Sequence, residues 1–281
     1  MKPNAAEQQK YINELPGNAR QKEEHHQNIQ PNEEIAVMPR EDGRRPDEIR
    51  PLAFQSDFQL HPLGSVLAVC GRTRVICAVS LEEKVPSWMK AQNVSGGWIT
   101  AEYQMLPSAT NTRGEREVTK GKLSGRSAEI QRLIGRSLRA VVDLEKLPGI
   151  TLHVDCDVID ADGGTRCASI TGACAALEIA AKKLVDQGVI PEWPLKARVA
   201  AVSVGIVNGE PLLDLCYTED SAAEVDMNVI MTDQGRFVEI QGTGEEATFS
   251  DEDLEKLLAL AKSGLKQLFA EQTRITGRAN G

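Results

Sequence analysis

The side chains best suited to chemistry lie in two short stretches. The first is Asp162-Gly163-Gly164-Thr165-Arg166, a turn that carries a hydroxyl and a guanidinium. Before it, over residues 150–158, Ile150, Leu152, Val154, Cys156 and Val158 alternate with Thr151, His153, Asp155 and Asp157, the period-two pattern of a half-buried strand. After it, Ala173, Ala176, Leu177, Ala180 and Leu184 recur at helical spacing. The turn therefore lies near a helix start, where free backbone N–H groups and the helix dipole favour an anion. The dipole disfavours an arginine there, and a bound anion relieves that cost. Asp-Gly-Gly also serves plain chain reversal, so a phosphate cradle and a simple turn stand side by side at this level.

The second stretch is Glu219-Asp220-Ser221-Ala222-Ala223-Glu224-Val225-Asp226. Acids in a connection are commonly just solvated. Asp226, however, immediately precedes the apolar run Met227-Asn228-Val229-Ile230-Met231, which predicts a strand that holds its carboxylate on a rigid element. Asp220 and Asp226 together suit Mg²⁺, which binds through one or two carboxylates plus substrate phosphates. His25-His26 has no further His or Cys at ligand spacing and reads as a solvated pair.

The elements that must position these groups are partly legible. Residues 1–37, rich in Asn, Gln, Glu and Lys without a sustained apolar period, read as a disordered or weakly helical extension. Strand patterns follow at residues 58–60, 66–69, 75–79 and 98–103, with Gly71-Arg72-Thr73 as a hairpin-like turn. A polar loop over residues 108–124 precedes a helix whose apolar face holds Ile130, Leu133, Ile134, Leu138, Val141 and Val142, with Arg126 near its start. Pro191 and Pro194 interrupt the helical pattern and predict a linker. Asn208-Gly209, between strand patterns at 202–207 and 212–216, is a strong hairpin signal, and Asp233-Gln234-Gly235 is a second. Ser250-Asp251-Glu252-Asp253 caps a final helix with Leu254, Leu257, Leu258, Ala261, Leu265 and Leu268 on one face. Strand groups followed by helices in both halves predict an α+β fold of two βα subdomains: residues 38–187, a linker at 188–195, and residues 196–281.

The 281-residue chain is long enough for a sizeable core, and its formal net charge of −9 argues against indiscriminate nucleic-acid binding. Between residues 108 and 139, however, eight basic side chains face three acidic ones, a local basic island that includes Arg113, Arg116 and Arg126. The six cysteines form no C-x-x-C pair, there is no signal-peptide pattern, and no apolar run nears the roughly 20 residues that span a bilayer. These features predict a cytoplasmic protein with buried thiols and no membrane partner.

Several long segments are similar to those of the bacterial ribonuclease PH family, phosphate-dependent 3′-exoribonucleases of tRNA maturation. They are Asp42-Gly43-Arg44, Gly97-Trp98-Ile99-Thr100-Ala101-Glu102-Tyr103, Met105-Leu106-Pro107, Glu129-Ile130-Gln131-Arg132-Leu133-Ile134, Asp155-Cys156-Asp157-Val158, Ala161-Asp162-Gly163-Gly164-Thr165-Arg166 and Asp226-Met227-Asn228-Val229. The resemblance covers residues 38–272. It implies the two-subdomain ribonuclease PH fold, with a first half like ribosomal protein S5 domain 2. It also implies that Arg126, Gly164, Thr165 and Arg166 bind inorganic phosphate as co-substrate, and that Asp220 and Asp226 serve catalysis and bind Mg²⁺. Arg113 and Arg116 match arginines that contact RNA, whereas Ser108 stands where members often carry another Arg, and residues 1–37 depart from the pattern. The implied assembly is a homo-hexamer, a trimer of dimers, acting on tRNA precursors and other RNA 3′ ends and releasing nucleoside 5′-diphosphates. The rival reading is a catalytically silent RNA-binding ring subunit of an exosome-like assembly. A small-molecule kinase is disfavoured because the chain has no G-x-x-x-x-G-K-[ST] motif.

Overall fold

The structure, a computed structural model, describes residues 40–245 and 247–277. The extension expected over residues 1–37, including His25-His26, lies outside the described residues.

Apolar alternation in the first half builds a five-stranded sheet. Strands β2 (Gly64–Cys70) and β3 (Thr73–Glu82) pair antiparallel around Gly71-Arg72, where the glycine takes a φ of 59°. Strand β5 (Thr151–Asp160) pairs antiparallel with β3 and parallel with β4 (Trp98–Met105), and β1 (Gln55–Ser56) closes the order β1-β2-β3-β5-β4. A parallel neighbour needs a crossover. Helix α2 (Gly125–Val141) supplies it, burying Ile130, Leu133, Ile134 and Leu138. A five-residue helix, α1 (Ser87–Ala91), precedes β4.

Helix α3 (Thr165–Asp186) is apolar almost all round because it is buried between sheets, packing on β2 and β3 on one side and on β6 on the other. The second sheet has the order β7-β6-β8-β9, with β6 (Val199–Val207), β7 (Glu210–Leu213), β8 (Val225–Thr232) and β9 (Phe237–Gly244) all antiparallel. Its two faces follow the period of two. In β8, Met227, Val229 and Met231 join the core under helix α5 (Asp251–Thr276), whereas Ile230 joins the core that holds α3. Asp226 and Asn228 share the parity of Ile230, and the Cys167 thiol on α3 donates to Asn228 Oδ1 at 3.1 Å. The hydrophobic pattern of one strand thus turns Asp226 toward the start of α3.

The structure differs from the sequence reading in four places. No strand forms over residues 58–60: Asp57 takes a φ of 51° and ends β1, Ser65 Oγ binds the Gln59 backbone, and Leu60 is 90% exposed. Strand β7 stops at Leu213 because Asp214 is left-handed, with a φ of 55°. The start of the acidic connection is a single helical turn, α4 (Tyr217–Asp220), too short for periodicity to reveal, and Asp226 lies inside β8 rather than before it. The segment expected as a linker, 188–195, joins α3 to β6 and packs on the first half, with Ile190 and Leu195 buried and Asp143 N–H donating to the Pro194 carbonyl at 2.8 Å. Five of the six cysteines are buried and none is bridged. Among the described residues no helix is long and apolar enough to cross a membrane.

Candidate active site

Two helix starts supply the arginines. Arg126 is the second residue of α2, after the N-cap Ser124, whose hydroxyl accepts the Ser127 N–H at 3.0 Å. Arg166 is the second residue of α3, whose N-cap Gly164 has a φ of 63° and no capping side chain. Neither helix has an acid in its first turn. The start of α3 therefore presents a positive dipole end, uncapped N–H groups and a guanidinium together, whereas at the start of α2 Ser127 Oγ donates to Glu117 Oε1 at 2.6 Å beside Arg126.

Tyr103 on β4 ties the two starts together. It is buried, its hydroxyl lies 2.9 Å from Thr165 Oγ1, and it feels the charges of both Arg126 and Arg166. Burial raises its phenol pKa against the pull of Thr165 and the arginines, so it remains a neutral hydroxyl.

Facing this positive edge are Asp220, the last residue of α4, and Asp226 on β8. Burial raises the Asp220 carboxyl above its ordinary value while Arg126, Arg166 and Arg50 oppose the shift. Burial, followed by the charge of Asp220, pushes Asp226 up to about 6, and Asp226 Oδ1 is buried without a hydrogen-bond partner. An orphaned, buried carboxylate oxygen beside a second carboxylate is costly unless a cation or a proton occupies it. No cluster of three or more His, Cys, Asp or Glu ligands exists among the described residues. A dedicated protein cage is therefore absent, whereas a two-carboxylate site completed by phosphates fits.

What holds these parts in place was not legible from local pattern. Arg50 is 4% exposed and grips Asp214 through its backbone N–H, Nε and Nη2 at 2.8, 2.9 and 2.7 Å, while its Nη1 donates to the Asp162 carbonyl. Thr73 Oγ1 donates to the Gly163 carbonyl at 2.7 Å and accepts from Asp162 N–H at 2.9 Å. Arg40 makes a bidentate pair with Glu219, next to Asp220, at 2.6 Å for each bond. Burial alone would raise Asp214 and Glu219, but the Arg50 charge on the first and the Arg40 hydrogen bond on the second hold both carboxyls below their ordinary values. Breaking such a buried pair costs about 3–5 kcal/mol. The segment bearing Arg40, Arg44 and Arg50 thus links the Asp162–Gly164 turn to the segment that carries Asp220. The only sequence hint was the family-like Asp42-Gly43-Arg44.

Arg113 and Arg116 are exposed on the loop before α2. A cleft of about 920 Å³ opens beside the Gly-Gly turn, with Arg72, Arg74, Ser108, Asp162, Tyr217 and Thr218 in its wall. Ser108 therefore shares this cleft with Asp162, whereas Thr165, Arg166, Asp220 and Asp226 lie outside its wall.

Comparison with known proteins bears on this arrangement. Residues 48–183 match domain 1 of the 3′ exoribonuclease family and residues 197–264 match its domain 2. Ribonuclease PH of Bacillus velezensis is 60% identical over 239 residues, covering 85% of this chain and 97% of that protein. Ribonuclease PH of Bacillus subtilis is 59% identical over 239 residues with the same coverage, 85% and 97%. Among solved structures, rice (Oryza sativa) Rrp46 superimposes with a TM-score of 0.69 at 20% identity, covering 85% of this chain and 100% of that one. The Archaeoglobus fulgidus exosome with RNA bound to the active site gives 0.70 at 22% identity, covering 83% and 92%. At such identities the two structures speak to the fold alone.

Proposed function

The chain belongs to the 3′ exoribonuclease family, of the ribonuclease PH type, and we infer that its arginine-lined helix starts and facing carboxylates are the phosphorolytic centre. The enzyme is a phosphate-dependent 3′-exoribonuclease, a tRNA nucleotidyltransferase that shortens RNA 3′ ends with inorganic phosphate as co-substrate. Its substrates in this reading are tRNA precursors, met in the cytoplasm by a homo-hexameric ring, a trimer of dimers. What supports the reading is that the charges of Arg126 and Arg166 act both on Tyr103, which is hydrogen-bonded to Thr165, and on Asp220 and Asp226.

The chemistry follows from these parts. Arg126, Arg166, Thr165 and the N–H groups after Gly164 bind the attacking phosphate and offset its repulsion from the RNA backbone. A phosphate oxygen forms a bond to the phosphorus of the last phosphodiester, the P–O3′ bond breaks, and a nucleoside 5′-diphosphate leaves. The departing 3′ oxygen needs a proton. Asp226, with its carboxyl pushed up to about 6, lies close enough to neutral pH to exchange a proton with that oxygen. Asp220 and Asp226 would hold Mg²⁺, which when bound supplies positive charge to the transferring phosphoryl group. A phosphodiester is exchanged for a phosphoanhydride, so the step is reversible and the enzyme also adds nucleotides from diphosphates. Arg113 and Arg116 grip RNA phosphates. A silent RNA-binding subunit is not favoured, given 60% identity to a ribonuclease PH and the retention of both arginines and both aspartates.

A labelled tRNA precursor, incubated with and without phosphate, tests the reading. Shortening that requires phosphate and yields nucleoside diphosphates is expected. Phosphate-independent release of monophosphates, or no release, refutes it.

A further inference from the structure

Arg166 does not stand free at the helix start. Its Nη1 donates to Gln241 Oε1 at 2.9 Å, and the Gln241 amide NH₂ donates in turn to Glu129 Oε1 and Glu239 Oε1, each at 3.0 Å. Behind them Arg136 forms a fork on Glu239, with Nε and Nη2 at 2.7 and 2.8 Å. Glu129 Oε2 comes within 3.8 Å of Arg166 Nη1, outside hydrogen-bond range. Gln241 lies on β9 directly opposite Asn228 of β8, two residues along from the Asp226–Thr243 pair, so it shares the face that carries Asp226.

A glutamine is the side chain this position requires. It must accept from a guanidinium and donate to two carboxylates at once, which an amide does and a carboxylate cannot. The opposite amide orientation would aim NH₂ at Arg166 and oxygen at Glu129 and Glu239, so the donor and acceptor assignment follows from the neighbours. Being neutral, Gln241 takes one of the five guanidinium donors without itself cancelling the positive charge. It also occupies Glu129 Oε1, so that Glu129 meets Arg166 as a long ion pair at 3.8 Å rather than through a direct hydrogen bond.

We propose that Gln241 is a positioning residue for phosphate binding: its amide holds Arg166 in the anion-binding orientation and keeps Glu129 from closing onto it in a direct hydrogen-bonded pair. The inference rests on the reading that Arg166 binds phosphate, and its test separates the two. Gln241→Met keeps length and loses both polar functions, while Gln241→Glu keeps the acceptor, loses the donors and adds a negative charge. Gln241 is half-buried on an edge strand, so both variants should fold.

Phosphorolysis by the full chain is measured against phosphate concentration for wild type, both Gln241 variants and Arg166→Ala, with RNA affinity measured in the absence of phosphate. The loss of one net hydrogen bond predicts a rise in phosphate KM of about 3–10-fold for Gln241→Met. The rise for Gln241→Glu should be larger. For both, kcat at saturating phosphate and RNA affinity should stay within about twofold of wild type, a split that a merely structural residue would not produce. If Arg166→Ala raises the phosphate KM and both Gln241 variants leave it unchanged, the proposal fails and the reading of Arg166 stands. If Arg166→Ala itself leaves the KM unchanged, the reading fails and takes the proposal with it. A fall in kcat alone in either Gln241 variant also overturns the assignment.

Discussion

Gly163 and Gly209 offer a matched test of how the phosphate turn is held against the carboxylate segment. Both adopt nearly the same left-handed backbone, with φ of 74° and 75°. A Cβ on Gly209 would meet nothing within 4 Å, whereas one on Gly163 would lie 2.5 Å from the Leu215 carbonyl oxygen, 2.7 Å from the Cys216 carbonyl carbon and 2.9 Å from Tyr217 N. Placing alanine in this region costs about 1–2 kcal/mol at either site. Forcing a methyl against backbone adds about 1–3 kcal/mol at Gly163 only. Gly209→Ala should therefore lose about 1–2 kcal/mol of unfolding free energy and Gly163→Ala about 2–5 kcal/mol, read from urea unfolding with the slope held common. The displaced segment, 215–217, leads directly into α4 and Asp220. Because a 1 Å misplacement of reacting groups can cost about 10²-fold, Gly163→Ala should lose at least about tenfold in phosphorolysis under conditions where it is fully folded, and Gly209→Ala should retain wild-type rates. Equal destabilisation of the two variants, or full activity in a folded Gly163→Ala, would refute the claim that the turn is packed directly against the carboxylate segment.

Three further outcomes follow from charge. Asp226 titrates near 6 in the fold against an ordinary 3.8, so its ionisation opposes folding at neutral pH by up to about 3 kcal/mol, relieved as pH falls through 6. In metal-free buffer the melting temperature should rise from pH 7.5 to pH 5, and Asp226→Asn should flatten that rise; an unchanged rise would show that another group titrates. Asp214 and Glu219 have the opposite sign: their carboxyls lie below the ordinary 3.8 and 4.5, so the stability they contribute is complete above those values and is lost as pH falls below them. The melting temperature should therefore drop steeply below about pH 4, and Arg50→Met/Asp214→Leu should lessen that drop, while an identical acid limb would rule these pairs out as its cause. RNA affinity should weaken with salt, and Arg113→Ala/Arg116→Ala should make the log–log slope shallower by about 1.4, since each phosphate contact to single-stranded RNA contributes about 0.7; a slope equal to wild type would show that the loop does not touch RNA phosphates.

Local rules made much of the scaffold legible. Asn208-Gly209 marked the β6–β7 hairpin, Ser250 with Asp253 capped α5, and Asp162-Gly163-Gly164 announced the start of α3 because glycine takes its two consecutive left-handed positions without a Cβ penalty. The helix α4 escaped because one turn carries no period, and residues 58–60 misled because an apolar alternation of three residues is too weak to resist a left-handed Asp57. The groups that hold the candidate site escaped for another reason. Arg50 and Asp214 are separated by 164 positions, Arg40 and Glu219 by 179, and Arg166 and Gln241 by 75. Nothing in the neighbourhood of a single arginine tells which distant acid or amide it will meet, and the same holds for Tyr103 and Thr165.

The distribution of charge explains why the candidate site needs both halves of the chain. Arg126 and Arg166 stand at helix starts that follow the first sheet, and Asp220 and Asp226 come from a helical turn and a strand of the second. Had each half carried both signs, its arginines and aspartates would have paired locally and neither an anion nor a cation would find a vacancy. Instead the compensating pairs sit one step back. Arg40 neutralises Glu219 beside Asp220, Arg50 neutralises Asp214 beneath the turn, and Arg136 neutralises Glu239 behind Gln241. These pairs fix the distance between the two edges while leaving Asp226 Oδ1 without a partner. Asp226 Oδ1 thus stays open close to the charges of Arg126 and Arg166, the arrangement that a phosphate with its counter-cation would complete.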